Sequence, residues 1–515
     1  MQTEKEYLIG KEINALRCES VGEYSLPDYN GDVKKLLAIK TKVFPSGKFV
    51  GEDTLELSGT VAYEVVYLDS ENNTTHAEFS TDYEAAVKIN SETYVDSDVR
   101  TSVSGCNVRL VGPRKLSVKS TLDSDVCITE SRVHSIDGDA FMEYEPEVQT
   151  RVANVFCPTF VSGESREVNE ELFSIEGAIR DEVEVLLNDI RFELASLDVD
   201  SDSVSVKGDL VLSALVGNAD SEPRYVTKKV PCSEQMHVEG AESFDSIDAW
   251  MEVSVFKASV APTDDGVSIS AIATLVPKIC GKKNAPLSLV TDAYLKERGT
   301  QNEYSDFGYT EHICSETKTE SFEATRPITE VGIENIGDVI YSEGQAKIDR
   351  CEITDGAVQM HGEIRFSGIM CQTVDEAAIC SPFKFTLPFD KNVNINCQIH
   401  DNMRPNCAVN TTDVKITLDE NNVHATANLD LYITLNADKR QRCLGSSYLT
   451  DDEYLTDASV VTVYYPDTTE SLFSIAEKFH TSVTRIAETN KLTESVFASA
   501  SDPIGTHGIK KLLIK

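Results

Sequence analysis

Leu55-Glu-Leu57-Ser-Gly59-Thr-Val61-Ala-Tyr63-Glu-Val65 alternates apolar and polar residues around a glycine. The pattern returns as Val204-Ser-Val206-Lys-Gly208-Asp-Leu210-Val-Leu212-Ser-Ala214, and again as Val358-Gln-Met360-His-Gly362-Glu-Ile364-Arg-Phe366-Ser-Gly368. Period-two alternation sends one side-chain set inward and the other outward on a β-strand. The glycine is read as falling on the polar face, where a bulge or close backbone approach wants no Cβ. Further landmarks keep step with the three glycines. Asp32-Val33, Asp181-Glu-Val183 and Asp338-Val339 precede them by 27, 27 and 24 residues. Asp139-Ala-Phe141, Asp292-Ala-Tyr294 and Ser446-Ser-Tyr448 follow, their aromatics 82, 86 and 86 residues downstream. One alternating run arises by chance, but landmarks recurring together at glycine spacings of 149 and 154 define an internal repeat.

Strand-like runs with polar turns between them fill each repeat. The third holds VQMHGEIRFSGIMCQ, FKFTLPFD, DVKITLD and VHATANLDLYITL; the second holds WMEVSVFKASVA and GVSISAIATLVP; the first holds RKLSVKSTL. Many short strands of this kind predict a mainly β chain of three sandwich-like or barrel-like repeats. Helix is expected only in short segments such as EYLIGKEINAL near the start. The polar, Tyr-containing stretches 142–170 and 295–330 read as linkers, lying as ordered arms across neighbouring repeats. The expected limits are 1–150, 151–305 and 306–455 for the repeats and 456–515 for a last, different domain.

In that last segment the pattern changes. Val461-Thr-Val463-Tyr-Tyr465 reads as a strand. Leu472, Ile475, Ala476 and Phe479 stand at helical spacing behind an N-terminal cap at Glu470-Ser471. Val483 to Asn490 reads as a second helix opened by Thr481 or Ser482, and Lys511 to Ile514 as a closing strand. The order is βααβ, a small α+β domain.

The motifs Thr469-Glu470-Ser471-Leu472-Phe473-Ser474-Ile475-Ala476 and Ile486-Ala-Glu-Thr-Asn490-Lys-Leu492 resemble those of a LysM domain. Thr469 stands where the family carries glycine, and SDPIGTHGIKKLLIK lacks the usual Pro-Gly turn. The family's groove for N-acetylglucosamine polymers, carried over, implies Thr468, Thr469, Glu470 and Ser471 with Lys491 and Leu492 as the partner-binding residues. Leu472, Ile475, Ala476, Phe479 and Ile486 are expected in the core instead. The departures count against glycan binding. The three strands of LxLxGxVxYxVxY type, together with the Asp-Ala-Tyr motif, resemble SPOCS domains. SPOCS repeats followed by a LysM domain are the architecture of spore-coat morphogenetic proteins of endospore-forming anaerobes. That resemblance implies a mother-cell cytoplasmic adaptor at the forespore surface. Its LysM-like domain would dock on the polymerising ATPase of the coat basement layer, and its repeats would recruit other coat proteins. The alternative reading is a wall-associated protein that binds peptidoglycan.

Charge narrows the function further. Against 47 basic residues stand 86 acidic ones, a net charge of −39. Such a field repels phosphate backbones and anionic membranes, so no nucleic-acid partner is expected. Residues 461–515 hold six basic and six acidic residues, so the acid belongs to the rest. The opening residues carry no apolar stretch of signal-peptide length, and no run approaches a membrane span; the protein is expected to stay soluble where it is made. The thirteen cysteines, with no CxxC pair, are read as mostly buried, reduced thiols.

The sequence carries no recognisable catalytic motif. The nine histidines are scattered, none within four residues of another, so no metal site is expected. Gly163-Glu-Ser165-Arg lacks the second glycine of a nucleophile elbow, and no phosphate-binding loop occurs. Asp198-Val-Asp200-Ser-Asp202 begins like a calcium loop, but Ser203 replaces the glycine at the sixth place and the flanks read as strands, so a hairpin turn is expected. No catalytic residue and no cofactor are expected.

Overall fold

The computed structural model describes residues 4–28, 30–140, 144–218, 221–333, 337–374, 377–400, 402–454, 460–493, 496 and 500–515. Unit one holds β1 (Glu4–Ser25), β2 (Val33–Val50), β3 (Thr54–Asp69), β4 (Thr74–Lys88), β5 (Tyr94–Gly112) and β6 (Lys115–Ser135). They form two antiparallel sheets, in the orders β2-β3-β4 and β1-β6-β5. Unit two repeats this with β7 (Glu147–Ser162) and β8 (Arg166–Glu176) together replacing the first strand. Then come β9 (Val183–Val199), β10 (Ser203–Asn218), β11 (Ser221–His237), β12 (Ser246–Thr263) and β13 (Gly266–Tyr294). Its sheets are β9-β10-β11 and β12-β13-β7, with β8 also on β13. Unit three runs β14 (Arg298–Pro327), a helical turn α1 (Ile328–Val331), β15 (Asp338–Thr354), β16 (Ala357–Val374), β17 (Ala377–Val393), β18 (Met403–Leu418) and β19 (Asn422–Glu453). Its sheets are β15-β16-β17 and β14-β19-β18. One six-strand topology is therefore built three times, and the protein is mainly β.

The three alternating runs are the central strands β3, β10 and β16, and the Asp-Val landmarks open β2, β9 and β15. Within each unit the two sheets close face to face over an apolar core. In unit three that core includes the fully buried Val358, Met360, Ile364 and Phe366 from β16 and Leu429, Leu431 and Leu435 from β19. Each such side chain contributes roughly 1.5–3 kcal/mol when fully buried. At one seam β15 meets β18 directly, where the Ala346 amide donates to Thr411 Oγ1 at 3.0 Å.

Several expectations are corrected. The glycines share the parity of the buried side chains, so they face inward and not toward the polar side. What needs the space is an aromatic ring and a neighbouring backbone carbonyl. A Cβ on Gly59 would lie 2.5 Å from the Tyr83 ring and 2.6 Å from Phe44 O. The register of the preceding strand slips opposite each glycine, between Pro45 and Gly47, at Lys207/Gly208, and between Ile348 and Arg350. The bulge was expected; the face was not. EYLIGKEINAL is strand, part of β1 paired with β6. Its register shifts between Ile13 and Leu16, and both pack in one cluster of unit one. That bulge returns a residue three places on to the same face, which imitates helical spacing. The expected linkers are the long strands β7, β8 and β14. Phe141 and the expected boundary at 455–456 lie outside the described residues. Asp200 to Asp202 join β9 to β10 as a hairpin turn, with Asp198 still in β9, as read from the flanks.

The units meet around a common centre. Val66, Leu215 and Ile369, each seven residues beyond its glycine, pack in one cluster with Leu37, Leu187 and Tyr341. Lys40, Asp189 and Glu343, each nineteen residues before its glycine, also converge: Lys40 Nζ lies 3.0 Å from Asp189 and 3.4 Å from Glu343. Burial opposes the Lys40 charge, and the groups around it, Asp189, Tyr341 and Glu343, more than offset this and hold its pKa well above the usual lysine value. Among the described residues no helix is long and apolar enough to cross a membrane.

Candidate partner-binding surface

The last residues form β20 (Thr462–Tyr464), α2 (Leu472–Lys478), α3 (Val483–Asn490) and β21 (Leu512–Ile514), with β20 and β21 antiparallel. Both helices start where their caps dictate. Ser471 Oγ accepts the Ser474 amide at 3.1 Å while Ser474 Oγ accepts the Ser471 amide at 3.0 Å, a reciprocal capping box. Ser482 caps α3 through the Arg485 amide. Leu472, Ile475, Ala476, Ile486, Leu512 and Ile514 are buried as the core, with Phe479 packed at its margin. Asn490 ties α3 to β21: it donates to Leu513 O and accepts the Leu513 amide, both at 2.7 Å.

The six candidate residues fall into two groups. Thr468 to Ser471 form a loop fastened to a turn at 503–505. Thr468 O accepts the Gly505 amide at 3.1 Å, Glu470 O accepts the Ile504 amide at 2.7 Å, and Ser471 makes an isolated bridge with Pro503. The Glu470 carboxylate is engaged internally, accepting from Tyr464 Oη at 2.8 Å and from the Asp467 amide at 2.9 Å, with Lys478 at 3.4 Å. Burial opposes its ionisation, yet the Asp467 amide, Tyr464 and Lys478 hold its pKa below the usual value. Thr468 and Thr469 are exposed. Lys491, also exposed, ends α3 in the left-handed conformation, and its amide bonds back to Glu488. Leu492 is half-buried, with its amide on Ala487. The recorded backbone bonds of Lys491 and Leu492 thus run to α3 and not to the 468–471 loop.

Two features escaped the sequence reading. The first is an exposed apolar run: Val463 of β20 and the flanking Val461 and Tyr465 are 47%, 52% and 70% exposed. Its signal was the alternation already read as a strand. The second is the attachment of the βααβ domain to unit two. Tyr294, at the end of β13, donates through its hydroxyl to Thr481 O at 2.6 Å and meets Phe473 edge-on, ring centroids 5.2 Å apart. Burial pushes its phenol well above the usual pKa. Tyr294→Phe is expected to loosen this docking by about 1 kcal/mol, roughly fivefold in the undocked population. Limited proteolysis of the full chain would read it as faster release of a C-terminal fragment; an unchanged rate would show that the hydroxyl does not hold the domain.

Elsewhere, a cavity of about 800 Å³ lies where the three units meet, between Lys40, Lys42, Arg191, Trp250 and Glu343. Several of its charges have partners within the protein. Lys42 pairs with Glu64 at 2.5 Å, Arg191 with Glu193 at 2.9 Å, and Arg100 stacks on Trp250. The cavity reads as a seam between units. Among the described residues no cluster of three or more His, Cys, Asp or Glu could hold a metal ion. Compared with known proteins, the chain matches no family model, no curated protein and no solved structure.

Proposed function

We propose that this protein is a non-enzymatic adaptor of spore-coat assembly, built of three SPOCS-like units and a LysM-like domain. The observation that carries the reading is the architecture: one sandwich topology made three times and joined to a capped βααβ domain. Repetition of a binding unit suits a scaffold that gathers several proteins. By the resemblance of its motifs, the LysM-like domain docks on the polymerising ATPase of the coat basement layer. The acidic units recruit other coat proteins at the forespore surface, in the mother-cell cytoplasm. To that docking we assign the exposed Thr468, Thr469 and Lys491 together with the exposed apolar residues Val461, Val463 and Tyr465. Peptidoglycan binding is the second reading. It is less favoured because the Glu470 and Ser471 side chains are committed to bonds within the domain.

The test uses the full-length chain against the purified basement-layer ATPase and, in parallel, insoluble peptidoglycan. Val463→Glu with Tyr465→Glu is expected to weaken ATPase binding at least 30-fold, as losing apolar anchors worth ~2 kcal/mol does. Thermal unfolding should be unchanged, because both side chains are exposed. Retention on peptidoglycan with no ATPase binding would overturn the adaptor reading.

A further inference from the structure

The cysteines are not distributed as buried fillers would be. Units one and two hold three each, all free thiols. Unit three holds seven, and six of these stand in three pairs. Cys371 of β16 and Cys380 of β17 face each other in the hairpin register, their Cα atoms 4.1 Å apart, and are joined as a disulfide. Cys351 of β15 and Cys407 of β18, 56 residues apart, are joined across the seam between the two sheets of the unit. Cys314 of β14 and Cys397, 83 residues apart and just past the end of β17, bring their sulfurs to 2.7 Å. The reading as reduced thiols is thereby corrected for Cys351, Cys407, Cys371 and Cys380, while Cys314 and Cys397 stand as free thiols in contact.

Three pairings at sequence separations of 9, 56 and 83, confined to one of three units of the same topology, are not what packing alone produces. Nothing in the shared fold requires them, since units one and two close the same sheets without any disulfide among their cysteines. We propose that unit three is a module stapled by oxidation, whose three cysteine pairs all close as disulfides, Cys314–Cys397 being the third. The bridges join β15 to β18, β16 to β17, and β14 to the segment leaving β17. Five of the six strands are then tied, and the sixth, β19, lies hydrogen-bonded between β14 and β18. Cys371 and Cys380 also belong to the apolar cluster where all three units meet, so that staple lies at the junction of the whole molecule. The long-range bridges restrict the unfolded chain most, because they close the longest loops.

The chemistry requires a two-electron oxidant, for which a peroxide serves. One thiolate of the pair attacks a peroxide oxygen and displaces hydroxide, leaving a sulfenic acid; the second attacks that sulfur and releases another hydroxide. Two thiols and one hydrogen peroxide become one disulfide and two waters once the released protons are counted. Burial, then the hydrogen bond with Cys397, pushes the Cys314 thiol up to about 12, so this pair should close last and faster in alkali.

The full-length chain, fully reduced and then exposed to hydrogen peroxide, should be denatured and alkylated, and its free thiols counted by intact mass. Thirteen are expected before oxidation and seven after it, with linked peptides joining 314 to 397, 351 to 407 and 371 to 380. The Cys314→Ser/Cys397→Ser double variant should begin at eleven and also end at seven. Thirteen thiols surviving oxidation, nine surviving with Cys314 and Cys397 open, or bridges between members of different pairs would each overturn the proposal.

Discussion

Lys42→Met is expected to destabilise the protein by ~3–5 kcal/mol at pH 7.5, the range for stripping one partner from a buried ion pair. Lys42 Nζ lies 2.5 Å from Glu64 Oε1 and 2.7 Å from Asn188 Oδ1, and it stands over the Phe256 ring. Glu64 in turn accepts the Asn188 amide at 2.7 Å. Asn188 and Phe256 belong to unit two, Lys42 and Glu64 to unit one, so this network is a polar bolt between two sandwiches. Both charged side chains are nearly buried, at 12% and 10% exposure, which removes the solvent screening that makes surface pairs weak. Methionine keeps the stem's packing and removes only the charge and its donors, leaving Glu64 buried without a cation.

The penalty should depend on pH in a definite direction. Burial raises the Glu64 pKa, and Lys42 and the Asn188 amide only partly counter it. A carboxyl whose folded pKa lies above its unfolded value, about 4.3, binds its proton more tightly when folded. The stability this contributes is complete below the unfolded pKa and is lost as pH rises through the folded one. Removing Lys42 raises the folded pKa further. The cost of Lys42→Met therefore grows with pH, full at 7.5 and smaller at 5, where the orphaned carboxyl takes up a proton. Urea unfolding of wild type and variant at the two pH values measures it. A penalty equal at both would mean that Glu64 stays ionised in the variant and that the burial argument fails.

The repeat was legible because alternation and landmark spacing are local signals, and they survive where residue identities do not. The inter-unit contacts were not legible for the opposite reason. Lys40, Asp189 and Glu343 occupy equivalent places but differ in kind, so no repeat pattern marks them, and their meaning appears only when three chain segments meet. The run from Glu6 to Leu16 misled because a bulge shifts side-chain phase by one residue, and periodicity cannot distinguish that from a helix. The βααβ order and its caps were readable, since capping is decided within four residues. Its attachment through Tyr294 and Thr481 spans 187 residues, beyond any pattern. The cysteine pairs share that difficulty. In the candidate segment 468–471, nothing in the sequence marked Glu470 as turned inward to Tyr464 and the Asp467 amide.

Gly362→Val is expected to cost about 3 kcal/mol, at the upper end for forcing atoms into a packed core. A Cβ at this position would lie 2.1 Å from Lys347 O and 2.6 Å from the Phe389 ring. The ring could turn aside; the carbonyl cannot, because it belongs to the bulged stretch of β15 that pairs with β16 on either side of Ile348/Arg350. Emptying the ring's space therefore should not rescue the variant: Gly362→Ala with Phe389→Ala should be no more stable than the sum of the single changes allows. The same geometry recurs at Gly208, where a Cβ would meet Glu193 O at 2.2 Å, and more gently at Gly59, with Phe44 O at 2.6 Å. Alanine at the three sites should accordingly destabilise in the order Gly362 and Gly208 ahead of Gly59. Gly308→Ala supplies the control, since its Cβ would meet nothing within 4 Å in β14, and it should move stability by less than about 0.5 kcal/mol. Urea midpoints of the four alanine variants decide the matter. Should Gly362→Ala behave like Gly308→Ala, the carbonyl contact would not be what reserves this position, and the shared glycine would need another cause than the inward bulge common to all three units.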